Sequence, residues 1–238
     1  MCGQAEWNAD LYSERCSMTP PPAQPRQLPQ KDLWTNIHKT ATWGKYPNEE
    51  LIRFLMHYFG NLTYQERNQI KILDLGVGGG RHMSMMRQEG FEAYGIDISE
   101  VALQRTKELL TTKGIPDPHN LSVGDATDLS QFPDNTFDAV IDCATIQHIS
   151  EEGHTTAFDE INRVLKPKGL FWIVHAAAGC SDLGEEYGQC MYATREEMER
   201  MGLDASFNIK HLYLTTRWTF DKDPIRIWVG IFSQDVNV

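Results

Sequence analysis

The 238-residue chain is short of cysteine, of basic charge and of long apolar runs, and each shortage removes a class of protein. Its five cysteines, at 2, 16, 143, 180 and 190, are odd in number and never spaced C-x-x-C. That pattern sets aside a disulfide scaffold and a zinc site, and a reducing, cytoplasmic compartment is expected. No run of 18 apolar residues occurs, so no membrane span is expected. The N-terminus lacks the apolar core of a secretory leader. Twenty-two basic residues against 33 acidic ones give a formal charge of −11, which weighs against a nucleic-acid partner. No internal repeat is present.

Proline is unevenly placed: five of the eleven fall between Pro20 and Pro29. Residues 1–30 therefore read as a flexible tail, because such a stretch forms neither a helix nor an interior strand. Trp34 and Trp43 mark re-entry into folded structure, and residues 31–238 read as a single domain. Leu51, Phe54, Leu55 and Tyr58 recur at helical spacing within 47–59. Val101–Leu110 is a second amphipathic helix. Phe158, Ile161, Val164 and Leu165 form a third stripe, ended by Pro167 and Gly169. Thr194–Glu197 is a capping box opening a helix that Gly202 closes. Between these lie apolar runs, ending with Leu170–Val174, Phe207–Thr215 and Arg226–Ser233. Strands alternating with helices predict an α/β domain whose parallel sheet is covered on both faces.

The richest segment is Ile70–His82, where a buried strand runs into glycines 76, 78, 79 and 80 and then into helix-forming residues. A strand, a glycine turn and a helix N-terminus together make a site for a polar or charged ligand. Asp74 closes that strand, where an unpaired carboxylate is costly unless it has a purpose. A dinucleotide-binding turn needs a third glycine where this chain has Arg81. The spacing is instead Asp-x-Gly-x-Gly-x-Gly, and an acid facing the turn suits a ligand that carries a cation. Phe91–Asp97 is the next strand. Asp97 at its tip is placed to accept from ribose hydroxyls, the competing role of helix N-cap being filled by Ser99.

Three further marks follow in order: Gly124-Asp125-Ala126, Phe132-Pro-Asp-x-x-Phe137-Asp138, and Arg163-Val-Leu-Lys-Pro-Lys-Gly169. With the Asp74–Gly80 turn and Gly95–Ser99, they make residues 43–174 resemble the class I S-adenosylmethionine-dependent methyltransferases, small-molecule branch. The resemblance implies a Rossmann-like doubly wound sheet of seven strands, mostly parallel with an antiparallel C-terminal strand. It implies S-adenosyl-L-methionine as cofactor and a small-molecule methyl acceptor attacking through oxygen, nitrogen or sulfur. Asp74 with Gly76, Gly78 and Gly80 would hold the methionine part, Asp97 the ribose, and Asp125 and Ala126 the adenine, with Ile98 packed on its face. Trp43, with Tyr46 nearby, would cover the sulfonium, with a cation–π contact.

The strand Phe137–Asp142 would direct Cys143 and the residues up to His148 toward the sulfonium. His148 is the candidate general base, since its ordinary pKa of about 6.5 suits proton removal near neutrality; its competing role is a helix cap. His175, Asp142 and Tyr187 rank below it. The segments 179–184 and 187–192 are expected on the acceptor side. Two other readings stay open: an NAD(P)-dependent oxidoreductase, and a non-catalytic protein that only binds the cofactor.

Overall fold

The computed structural model describes residues 30–41, 44–116, 120–179, 190–217 and 224–234. Three helices precede the sheet: α1 (Gln30–Thr40), α2 (Glu49–Phe59) and the single turn α3 (Tyr64–Arg67). Strand β1 (Lys71–Leu75) leads into α4 (Arg81–Gln88), β2 (Glu92–Asp97) into α5 (Glu100–Thr112), and β3 (Leu121–Val123) to β4 (Phe137–Cys143). Helix α6 (Glu151–Val164), β5 (Leu165–Ala176), α7 (Arg195–Asp204), β6 (Asn208–Arg217) and β7 (Ile225–Ser233) complete the chain.

The seven strands lie in the order β3-β2-β1-β4-β5-β7-β6. β1 to β5 pair in parallel, while β7 runs antiparallel to both β5 and β6. This is the α/β sheet that the alternation of elements predicts, with the one reversed C-terminal strand that the resemblance implies. Because β7 inserts between β5 and β6, the end of β6 and the start of β7 return to the edge where β1 to β4 also end.

The core divides by strand alternation. On one face Phe171 and Ile173 of β5 meet Phe158 and Ile161 of α6 and Phe232 of β7. On the other, Trp172 and Val174 meet Leu51, Phe54 and Leu55 of α2. Each fully buried side chain of this size contributes about 1.5–3 kcal/mol, so the two layers fix the sheet whose strand ends form the functional edge.

Helix starts follow their caps: Asn48, Ser99, Ser150 and Thr194 each accept from a backbone amide of the first turn, and Thr194 with Glu197 forms the full capping box. Two helix stops differ from expectation. α7 runs through Gly202 to Asp204; a side-chain carbon at 202 would stand 2.5 Å from Phe232 Cε1, so this glycine serves close packing instead of termination. α6 ends at Val164, and the chain passes directly into β5 with Pro167 inside its irregular first turn, where β4 and β5 shift register. Helix α1 was not legible from its weak apolar pattern. Residues 1–29, Trp43, the segment 180–189 with Tyr187, and Trp218 lie outside the described residues.

Candidate active site

The glycine turn links β1 to α4 with Gly76, Gly78 and Gly80 at φ of 64°, 54° and 78°. This left-handed region costs other residues about 1–2 kcal/mol each. At Gly76 the restriction is also steric, since an added Cβ would stand 2.1 Å from Thr145 Oγ1. Thr145 Oγ1 in turn donates to the Leu75 carbonyl at 3.0 Å, tying the ends of β1 and β4 together. Thr106 of α5 donates to the Gly78 carbonyl at 2.9 Å.

Asp97 braces the same turn. Its Oδ2 accepts from the Gly78 amide at 3.0 Å and its Oδ1 from the Ser99 amide at 2.9 Å. Burial raises its pKa, and the two amide bonds and His38 work against that rise. The carboxylate is thus a structural clasp that also lines the cleft.

Asp74 is different. It is 1% exposed, and neither carboxylate oxygen has a hydrogen-bond partner. Burial pushes its pKa well above the ordinary value, opposed by Arg81 and reinforced by the nearby carboxylates of Asp142 and Asp97. Leaving such a group unmatched costs about 1–3 kcal/mol or more, and Asp74 stands near the end of β1, two residues before Gly76. Asp142, on the neighbouring strand, is satisfied: it accepts from Thr145 N at 2.8 Å and from Ile146 N, where the chain enters the 3-10 turn Ile146–His148. Burial nevertheless lifts its pKa to about 7.

A cleft of about 1250 Å³ opens over these strand ends. Small-molecule pockets usually run to about 300–1,000 Å³, so there is room for two ligands side by side. The structure brings Gly76, Gly78, Asp97, Ile98, Asp125, Ala126, Cys143 and His148 together in its lining. Asp74 and Gly80 stand behind the wall, and Trp43 lies outside the described residues. Asp125 accepts from the backbone amide and hydroxyl of Thr127, which fixes its loop. Tyr46, expected to wall the pocket, is 85% exposed and points to solvent from the rim segment that contributes Gly44 and Lys45 instead. His175 is fully buried beneath the site and does not line it; its Nδ1 faces the Ala176 carbonyl, and burial lowers its pKa to about 4.

His148 is buried at the cleft wall, edge-on to Trp34 with ring centroids 4.9 Å apart. Its tautomer follows from its neighbour. Gln147 Oε1 accepts from the Ala176 amide at 2.9 Å, so the Gln147 amide nitrogen faces His148 Nε2 at 3.2 Å. An amide nitrogen only donates; His148 Nε2 therefore carries the lone pair and Nδ1 the proton.

Helix α1 supplies the cover. Gln30 Nε2 donates to the His148 carbonyl at 2.7 Å, and Arg105 of α5 donates to the Ala41 and Lys39 carbonyls at its C-terminal end. His38, on the same helix, faces Gly78, and burial lowers its pKa against the pull of Asp97. Sequence reasoning also missed Arg81, His82 and Arg217. His82 Nε2 accepts from Asn48 N at 3.3 Å and from Arg81 Nε at 3.2 Å, and its pKa lies well below normal through burial and the two arginines. Cys143 is a half-buried thiol whose pKa desolvation raises, so it is not poised as a thiolate. Among the described residues no group of three or more acids, histidines or cysteines is arranged to hold a metal.

Comparison with known proteins bears on this geometry. The family described as "Methyltransferase domain" matches residues 73–173. The sterol 24-C-methyltransferase of Gibberella zeae is 36% identical over 106 residues, which is 44% of this chain and 27% of that protein. The glycine/sarcosine/dimethylglycine N-methyltransferase of Actinopolyspora halophila is 29% identical over 147 residues, 57% of this chain and 26% of that one. The chain thus spans about a quarter of the length of each of these two relatives. A SAM-dependent methyltransferase structure from Methanosarcina mazei superposes with a TM-score of 0.60 at 20% identity, covering 69% of this chain and 92% of that one, and shares the fold.

Proposed function

We propose that this chain, whose residues 73–173 match a methyltransferase domain, is a class I S-adenosylmethionine-dependent methyltransferase that transfers a methyl group to a small-molecule acceptor. The observation that carries the reading is the pair of unmatched buried oxygens on Asp74 behind a glycine turn that admits no side chain at Gly76. An ammonium group near that turn is the chemistry that would offset the buried carboxylate. The described residues therefore fit the amino-acid end of the cofactor. Asp97 and Ile98 would meet its ribose and adenine, and Asp125 with Ala126 the far edge of the base.

S-adenosylmethionine, when bound, supplies a methyl group already activated on a sulfonium. What remains for the protein is placement and exclusion of water, and holding two reactants in register contributes roughly 7–11 kcal/mol. α1, latched by Arg105 and by Gln30, closes the cleft above Gly78 and His148. His148 can take a proton only at Nε2, and only as the Gln147 amide yields that position. A hydroxyl acceptor needs that proton removal, and an acceptor that is already deprotonated does not.

The two relatives named above differ in the group their names say they methylate, a sterol carbon against an amine nitrogen, so the shared domain does not specify the acceptor. The same proposal takes residues 31–238 as one domain and places it in the cytoplasm, which the unclustered cysteines support. No helix among the described residues is long and apolar enough to cross a membrane. The test is incubation with methyl-labelled S-adenosylmethionine and panels of small hydroxyl, amine, thiol and carboxylate compounds. Labelled product together with S-adenosylhomocysteine supports the proposal. Cofactor binding with no transfer to any panel would favour the non-catalytic reading.

A further inference from the structure

The half of the cleft beyond the cofactor's place has a charge of its own, and the inference drawn from it rests on the methyl-transfer reading. In a chain of net charge −11, five cations line the cleft: Lys45, Arg81, Arg105, Lys113 and Arg217. Arg105 is occupied by the α1 carbonyls. Arg81 opens α4 beside Asp74, donates to His82, and belongs with the amino-acid end of the cofactor. The acids that line the cleft, Asp97, Asp125 and Glu152, come from β2, the loop after β3 and the start of α6.

Of the three that remain, Lys45 comes from the rim segment before α2 and Lys113 from the end of α5, so Arg217 is the cation supplied by the C-terminal strands. It is the last residue of β6, paired with Ile225 of β7, and the insertion of β7 between β5 and β6 carries it to the edge where β4 ends. Both Arg217 and Ile225 line the cleft. Arg217 lies close enough to Cys143 and His82 to act on both electrostatically, together with Arg81. Among the described residues it makes no hydrogen bond and no ion pair, whereas Arg67, Arg163 and Arg195 each have a carboxylate. His82 beside them is a buried imidazole whose pKa both arginines lower, so it supplies no negative charge to offset Arg217. A guanidinium fork matches a carboxylate or phosphate in two parallel hydrogen bonds.

We propose that Arg217 anchors an anionic methyl acceptor, a small molecule bearing a carboxylate or a phosphate, in the half of the cleft over β4, β6 and β7. The anion sets the direction from which the attacking atom approaches, beside Cys143 and His82. The same arginine disfavours cationic acceptors there.

The test uses the full chain saturated with S-adenosylhomocysteine. Inorganic phosphate and acetate are titrated as probes by calorimetry, with glycerol as the neutral control. Saturable binding of one or both anions is expected, weakened tenfold or more in Arg217→Gln and partly restored in Arg217→Lys, on the scale of a lost charged hydrogen bond. Tighter phosphate assigns a phosphate ester, and tighter acetate a carboxylic acid. S-adenosylhomocysteine affinity, measured separately, should stay within about twofold in Arg217→Gln, because the residues expected to hold the cofactor follow β1, β2 and β3 whereas Arg217 ends β6. Intact cofactor binding without a saturable anion site, or with one that Arg217→Gln leaves unchanged, overturns this inference alone. If the wild-type chain fails to bind S-adenosylhomocysteine, the methyl-transfer reading falls and this inference with it.

Discussion

Replacing Asp74 by asparagine should move stability and affinity in opposite directions. The carboxylate is 1% exposed with no partner on either oxygen, and its pKa is raised chiefly by burial. A carboxyl whose folded pKa exceeds its unfolded one contributes stability that is full below the unfolded value and lost as pH rises through the folded value. Asparagine has nearly the same shape and cannot ionise, so it removes that loss. At pH 9 the unliganded variant should be more stable by about 1–3 kcal/mol, because an unmatched buried carboxylate costs more than an unmatched buried amide. For a chain of 238 residues that is a rise of roughly 3–9 °C in melting temperature. At pH 4 the two proteins should melt together. Affinity should fall, because a neutral amide offsets an ammonium less well: a loss of about 1.5–3 kcal/mol is expected for S-adenosylhomocysteine. Scanning calorimetry at the two pH values and isothermal titration together read both effects. A variant that melts lower at pH 9 and binds S-adenosylhomocysteine as tightly as the parent would refute the reasoning, since Asp74 would then have a partner within the fold.

Gly76→Ala forces a left-handed alanine and drives its Cβ into Thr145 Oγ1, breaking the bond to Leu75; destabilisation of about 2–4 kcal/mol by urea unfolding is expected. His175 is buried neutral with a pKa near 4, so its contribution is complete above pH 6.5 and drains away as pH falls toward 4. That amounts to about 3 kcal/mol, and His175→Gln should flatten the acid side of the stability profile; an unchanged profile would mean another group governs it. If the acceptor is a hydroxyl, His148→Ala should slow turnover by roughly 10²–10⁴-fold with cofactor affinity unchanged, whereas near-normal turnover would assign catalysis to positioning alone.

The sheet was legible because its strands are apolar runs bounded by glycine and acid, and because a glycine turn after a strand has few structural uses. Asp74, Asp97 and Asp125 stood out as acids at strand tips for the same reason. Other parts were hidden by long-range contacts. Arg217 reaches the cleft because β6 runs antiparallel to β7 and β7 antiparallel to β5, and no local pattern announces those pairings. α1 has a weak apolar stripe and draws its stability from Arg105 and His148, 64 and 118 residues away in sequence from their partners Ala41 and Gln30. Gly202 reads locally as a helix stop, but the ring of Phe232 across the layer requires the missing Cβ. The double role of Asp97, clasping two amides while lining the cleft, is likewise visible only in three dimensions.

The central claim is that the Asp74–Gly80 turn and Asp97 form a site for S-adenosylmethionine and not for a dinucleotide. Isothermal titration of the full chain with S-adenosylhomocysteine and, separately, with NADH tests it most directly. The account predicts one-to-one binding of S-adenosylhomocysteine and no saturable heat with NADH. Saturable NADH binding in preference to S-adenosylhomocysteine would contradict it.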